Sequence, residues 1–276
     1  MIEDGPPAEL VCAFALPVPS LVISMMLGVP SEDLELFQHH TTVGLDLNSS
    51  EDKRGQAFGA MFAYLWELLE RKEKEPGDDL MSRLVTDYVA TGQLNRATAA
   101  ANGVIMMQAG HETTANMLGL GTVALLEHPK VYELLGRTDD RVAIANIVEE
   151  LMRYLTIVHS EVERVATEDL TLGGQQIRAG DFLVINLPAG NWDGEFVERP
   201  EELDADRNTR GHLGFGFGVH QCIGQNLARV EIQVAFATLA RRLPDLRLAV
   251  PAEELRFKGD QGIYGIKELP VRWGAQ

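Results

Sequence analysis

Residues Phe215–Gly224 read FGFGVHQCIG. Only two cysteines occur in the 276-residue chain, and one of them, Cys222, stands here. It follows His220 by two positions and comes after glycines at 214, 216 and 218. The apolar pattern that follows predicts a helix from about Cys222 to Leu243, stopped by Pro244. A cysteine at that position would meet free N–H groups and the helix dipole, which favour thiolate over thiol. Gly216, Gly218 and Gly224 remove side chains, so something flat could approach the sulfur, with Phe215 and Phe217 as apolar cover. A thiolate beneath such a space suits a soft or borderline metal centre. Other readings stay open on spacing alone. A nucleophilic cysteine needs a base, and His220 is near only in sequence. Structural zinc needs four ligands. A phosphate loop needs a preceding strand and a distal acid. A buried, inert cysteine is the plain alternative.

Widening the window narrows the choice. Phe215, Gly218, Cys222 and Gly224 fit F-x-x-G-x-x-x-C-x-G, and CIGQNLARVE continues it. This resembles the haem-thiolate loop and following helix of the cytochrome P-450 family. The resemblance implies haem b with Cys222 as the axial iron ligand, in a monooxygenase that inserts one oxygen atom from O2 into a small apolar organic substrate. It further implies electrons from NAD(P)H through a ferredoxin reductase and a ferredoxin. A thiolate ligand donates electron density that promotes O–O cleavage. A peroxide-using haem enzyme and a non-catalytic, haem-binding or inert remnant are the alternatives.

Upstream, AGHETT (Ala109–Thr114) interrupts an otherwise apolar helix with polar residues. It resembles the family's oxygen-activation motif. Glu112 and Thr113 are the expected acid–alcohol proton relay. Ala109 and Gly110 are expected to leave room for O2 and water and to let the helix open locally. The plain alternative is a threonine bonded back to its own helix. Glu150 and Arg153 in EELMR stand at i, i+3 and share a helix face. In the family such a pair is a buried brace with a third, basic member. Glu202 stands where many members carry arginine, and Arg207 is the nearest substitute. Arg164 and His220 match positions that face haem propionates in relatives. Met106, Met107, Ile157 and Val158 are expected pocket walls.

Around these motifs the chain predicts a mainly α fold with a small β-sheet (α+β). Ser31 is expected to cap a helix before an amphipathic helix over Lys53–Lys74, with Phe58, Met61, Phe62, Leu65 and Leu69 on one face. A shorter helix covers Leu80–Val89. Asn95 caps a run that ends before Pro129, roughly 50 Å of helix at 1.5 Å per residue. Another helix follows from Asp139 or Asp140 to Leu155. After Ser160 the period becomes two. LTLGGQQI (Leu170–Ile177) is a hairpin turning on Gly173 and Gly174, and FLVINL (Phe182–Leu187) a buried strand.

The bulk numbers limit function. A 45% hydrophobic fraction is globular. A net charge of −17 argues against nucleic acid or an anionic membrane as partner. Within that acidic chain, Arg207, Arg210, Arg229, Arg241 and Arg242 face only Glu231 between positions 207 and 242. Such a basic patch would attract an acidic electron carrier. Two distant cysteines fit a reducing cytoplasm. The apolar Leu10–Pro30 stretch follows acidic residues and contains Pro17 and Pro19, so a buried helix–turn–helix is expected rather than a signal or membrane segment. The resemblance implies a single haem-binding domain over 1–276 that lacks the N-terminal quarter to third of a typical member. A fragment, a mis-started reading frame or a decayed gene product is therefore expected, with weak haem retention.

Overall fold

The structure, a computed structural model, describes residues 1–159, 162–259 and 261–274. Nine α-helices of the described residues carry the chain: α1 (Pro17–Leu27), α2 (Leu34–Leu45), α3 (Glu51–Lys74), α4 (Leu80–Arg83), α5 (Arg96–Glu127), α6 (Pro129–Arg137), α7 (Arg141–Leu155), α8 (Leu187–Asn191) and α9 (Gln225–Arg242). The described residues divide into two compact units. The first holds Met1–Gly119 with Leu248–Gln261 and Ile266–Arg272. The second holds Leu120–Arg247 with short C-terminal pieces. α5 contributes to both, and its 32 residues are α-helical throughout.

The first unit is built on the amphipathic α3. Met61, Leu65 and Leu69 are fully buried, and Leu27, Phe37, Met81, Ala99 and Met107 join the same cluster. Ser50 caps α3 by accepting from the Lys53 amide. Asn95 Oδ1 accepts from the Thr98 amide at 2.8 Å where α5 begins. The expected cap at Ser31 is not formed. Ser31–Asp33 is a 3-10 turn, and α2 starts only at Leu34, with no side-chain cap. The Leu10–Pro30 stretch is a helical turn, Val11–Ala15, leading into α1. Pro17 sits in the first turn of α1, where its missing N–H costs nothing, rather than breaking the segment. Only one face of α1 is buried; Leu21 and Met25 face out. None of the described helices is long and apolar enough to cross a membrane. Ala8–Glu9 pairs antiparallel with Pro270–Arg272, and Arg256–Phe257 with Ile266–Glu268.

In the second unit α9 packs on α6 and α7. The Tyr132 hydroxyl donates to the Leu243 carbonyl at 2.8 Å, tying α6 to the end of α9. A Cβ on Gly121 would lie 2.4 Å from the ring of the fully buried Phe236, so α5 and α9 touch there only because residue 121 is glycine. Leu170–Leu172 and Gln175–Ile177 form the hairpin, with Gly173 and Gly174 both at positive φ as a two-residue turn of this kind requires. Ser160, where the strand period was expected to begin, lies outside the described residues. Phe182–Val184 does form a strand, but not a buried one: Phe182 is 62% exposed and Val184 53%. Its partner is Glu163–Val165 alone among the described residues, and a two-stranded ribbon leaves its faces uncovered.

One buried group gives this unit a pH dependence. Glu231 on α9 is 8% exposed, and burial pushes its carboxyl up to about 7. Between the usual carboxylate value and about 7 the native state therefore holds a proton that the unfolded chain has lost. Stability falls as pH rises through that window, and the deficit, up to about 3 kcal/mol, is complete above it. Glu231→Gln is expected to raise stability at about pH 8 and leave it nearly unchanged at about pH 4, read by urea titration at both. An equal effect at both pH values would contradict this origin.

Candidate haem-thiolate site

The cysteine loop reaches α9 through a 3-10 turn, Gly218–His220. α9 begins at Gln225 with Gly224 as its cap residue, so Cys222 precedes the helix rather than opening it. The loop closes on itself: the Cys222 amide donates to the Phe215 carbonyl at 2.9 Å and the Gly216 amide to the Leu213 carbonyl at 2.8 Å. Cys222 is a free, exposed thiol. Phe217, Val219 and Ile223 beside it are 83%, 97% and 99% exposed. A Cβ on Gly216 or Gly218 would meet nothing within 4 Å, and one on Gly224 would meet only the Cys222 sulfur, at 3.9 Å. The loop therefore presents a thiol amid open apolar surface. A soft donor in such a setting fits a flat, apolar, iron-bearing macrocycle.

Behind the loop lies a buried charge cluster. Glu150 and Arg153 on α7 are both 0% exposed. Arg153 donates from Nε and Nη2 to the two carboxylate oxygens at 2.8 and 2.9 Å. Its other donors reach the carbonyls of Asn191, Pro200 and Glu202 at 3.1, 2.9 and 3.2 Å. Glu150 also accepts from Arg207 Nε and from the Asp204 amide, both at 3.1 Å. Arg207 is thus the second cation of the cluster. Glu202 contributes its carbonyl, while its carboxylate pairs with exposed Arg199. Every donor of the guanidinium fork is used, and with Arg207, which donates to the carbonyls of Glu198, Arg199 and Glu202, it holds the segment 191–207, which has little regular structure of its own.

Sequence reading missed the residue beside it. Glu149 accepts from Arg229 on α9 and from His212, and Arg229 lies over the Phe215 ring. Adjacent glutamates in EELMR were the available signal, but only one fitted the motif. The basic patch shrinks in consequence. Arg207 and Arg229 are engaged by Glu150 and Glu149, and Arg241 donates to the Thr138 carbonyl and pairs with Asp139. Arg210 and Arg242 remain exposed. Arg164 lies on the exposed ribbon, donating to the carbonyl of Glu163 at 2.7 Å, and His220 is exposed in the 3-10 turn.

In the first unit, Glu112 is 7% exposed. Its Oε1 accepts from Lys258 Nζ at 2.7 Å and from Asn116 Nδ2 at 3.0 Å. Burial would raise its pKa, but the Lys258 charge and hydrogen bond outweigh burial and hold it below the usual carboxylate range. Thr113 Oγ1 donates to the Ala109 carbonyl one turn back, at 2.7 Å. Sequence reading had no route to Lys258, which lies 146 positions away. Gly110 also answers to packing: a Cβ there would come within 2.8 Å of Ile23 on α1. The expected local opening of α5 is not present. Met107 is turned into the core cluster, and Met106 is partly buried against the same cluster.

The comparisons with known proteins agree in direction. The profile of the family described as cytochrome P450 matches residues 23–246. Cytochrome P450-SU2 of Streptomyces griseolus is 47% identical over 266 residues, 96% of this chain and 64% of that protein. Cytochrome P450 CYP105Q4 of Mycobacterium marinum is 45% identical over 99% of this chain and 66% of its own length. The crystal structure of CYP105P1 in complex with filipin I superposes with a TM-score of 0.94 at 43% identity, covering all of this chain and 69% of that one. The crystal structure of GfsF gives 0.91 at 46%, covering 99% and 69%. The chain thus spans about two thirds of the length of the relatives it matches. The likeness runs through both units, in sequence and in backbone alike, and the chain belongs to the cytochrome P450 family.

Proposed function

We propose that this chain is the haem-binding, oxygen-activating part of a monooxygenase. The observation that carries the reading is the exposed Cys222 thiol in a self-bonded loop of apolar, glycine-opened surface, in a chain of this family. Haem b, held through the Cys222 thiolate, would supply reductive activation of O2, with one oxygen atom delivered to the substrate and the other released as water. That balance needs two electrons and two protons.

This chain's residues contribute as follows. Cys222 would donate the thiolate, and the apolar side chains around it, exposed by themselves, would exclude water from the sulfur once haem covers them. Phe215, Gly216 and Gly224 keep the loop in its bent form and leave the macrocycle room. Arg164 and His220 supply donors to its carboxylates. Glu112 and Thr113 carry the protons. The Lys258–Glu112 pair must open before the carboxyl can take up and pass a proton, and Thr113 Oγ1 must leave the Ala109 carbonyl before its hydrogen can point elsewhere. The substrate is a small apolar organic molecule. Electrons arrive singly from NAD(P)H through a reductase and a ferredoxin, and Arg210 and Arg242 are the exposed cations left to attract an acidic carrier. Two unpaired cysteines fit work in a reducing cytoplasm.

The test is the reduced, carbon monoxide-bound difference spectrum of the purified chain after haem reconstitution, beside Cys222→Ser. A red-shifted thiolate-type Soret band that is lost in the variant is the expected result. A histidine-like band, or none, would leave family membership intact and show that this chain by itself does not ligate haem through Cys222.

A further inference from the structure

Glu149 and Glu150 are neighbours on α7, yet they hold different parts of the chain. Glu150 holds Asp204 and Arg207 directly and, with its partner Arg153, the carbonyls of Asn191, Pro200 and Glu202. Glu149 serves the cysteine loop, through two arms. In the first arm, Glu149 Oε2 meets His212 Nε2 at 2.8 Å, and His212 Nδ1 lies 3.0 Å from the Gly214 amide nitrogen. A backbone N–H can only donate, so Nδ1 is the acceptor and the ring proton sits on Nε2, donated to Glu149. A Cβ on Gly214 would lie 2.9 Å from the Met152 carbonyl and 3.0 Å from His212 Nδ1, so this close passage beneath α7 requires glycine. In the second arm, Arg229 donates from Nε and Nη2 to the two Glu149 oxygens at 2.6 and 3.1 Å. Its guanidinium carbon lies 4.4 Å from the centre of the Phe215 ring.

Both arms end on consecutive residues, Gly214 and Phe215, and the Phe215 carbonyl receives the Cys222 amide. Burial would raise the Glu149 carboxyl, but the hydrogen bonds from His212 and Arg229 and the Arg229 charge outweigh it and hold the carboxyl below the usual carboxylate range, so the anchor stays ionised near neutral pH. We infer that Glu149 is the positioning residue of the cysteine loop: through His212–Gly214 and Arg229–Phe215 it fixes the carbonyl that holds Cys222, and so sets the sulfur in place before a macrocycle arrives. The clamp is a property of the loop and is readable without haem. Only its consequence for the thiolate rests on the function proposed above.

Hydrogen exchange of the full chain, followed by mass spectrometry of peptides covering 212–225, reads the clamp directly. Glu149→Gln is expected to speed exchange of the Gly214, Gly216 and Cys222 amides by about tenfold to a hundredfold, the loss of a charge-assisted hydrogen bond, while α3 exchanges as before. Arg229→Lys keeps a cation near Glu149 but loses the planar stack. It is expected to loosen Cys222 and Gly216 and spare Gly214, and it carries the test should Glu149→Gln fail to fold. In the haem-reconstituted protein both variants are expected to bind equal haem with a smaller share of thiolate-type band. Unchanged exchange at Cys222 in both variants, or a uniform acceleration through α7 and α9, would overturn the inference and make Glu149 an ordinary brace. Normal clamp behaviour in a wild-type chain that shows no thiolate band would instead count against the haem reading alone.

Discussion

Arg153→Met is expected to abolish cooperative folding of the unit that carries the cysteine. The side chain is wholly buried, and its donors hold Glu150 and three backbone carbonyls. Methionine fills much of the volume but donates nothing. The carbonyls of Asn191 and Pro200 would lose this donor, that of Glu202 would keep Arg207 Nη2, and Glu150 would keep only Arg207 Nε and one amide. Breaking a buried pair by removing one member costs about 3–5 kcal/mol, a large part of the 5–15 kcal/mol by which a typical domain is stable. Arg153→Lys is expected to do little better. An ammonium is a compact point with three donors, and it cannot span a carboxylate and three carbonyls set around a planar fork. Urea unfolding monitored by circular dichroism checks this. The expected result is a broad, early transition in both variants; an unshifted midpoint in Arg153→Lys would show that charge alone, not the fork, holds the segment.

The second large effect is expected at Lys258→Met. The groups facing Glu112 are Lys258 from the C-terminal segment and His111 and Asn116 from its own helix. His111 is buried, bonded to the Met107 carbonyl, and burial lowers its pKa, so it offers no ready substitute charge. In the wild type the Glu112 pKa is depressed. Its contribution to stability is present above the usual carboxylate value and is lost as pH falls through the folded value. Without Lys258 burial wins and the folded pKa rises above the usual value. The contribution reverses: the variant is then penalised as pH climbs from the usual carboxylate range towards neutrality. A loss of about 3–5 kcal/mol at neutral pH is expected, shrinking in acid and largely restored by adding Glu112→Gln. Thermal melts of the two variants across pH separate this from simple lost packing, which would give a pH-independent deficit that Glu112→Gln does not relieve. Under the proposed function the same substitution would shift Glu112 towards its protonated form, changing the carboxyl that passes protons with Thr113.

The two substitutions also show where sequence reading stops. The Glu150–Arg153 spacing is written along one helix and is legible at i, i+3. The resemblance offers the cation of Arg207 as the nearest third member, but the carbonyls from positions 191, 200 and 202 that make the pair a hub belong to no side-chain motif. Likewise AGHETT announces a polar interruption in an apolar helix. It offers the bond of Thr113 back to Ala109 as one alternative, but it does not announce that Glu112 is met by a lysine from the far end of the chain.

The amino-acid sequence by itself determined the helices with strong periodicity and caps, the glycine hairpin, the family and the identity of the cysteine. Each rests on residues close together in the chain, where backbone preference and fixed spacing act directly. Only the tertiary structure decided which other charges meet: Glu149 with His212 and Arg229, Glu112 with Lys258. It also decided that Phe182–Val184 lies exposed and that Gly110 answers to Ile23. The reason is physical. A buried charge must find a partner or lose its charge, and which partner it finds depends on the packing of elements remote in sequence, a property no local pattern encodes.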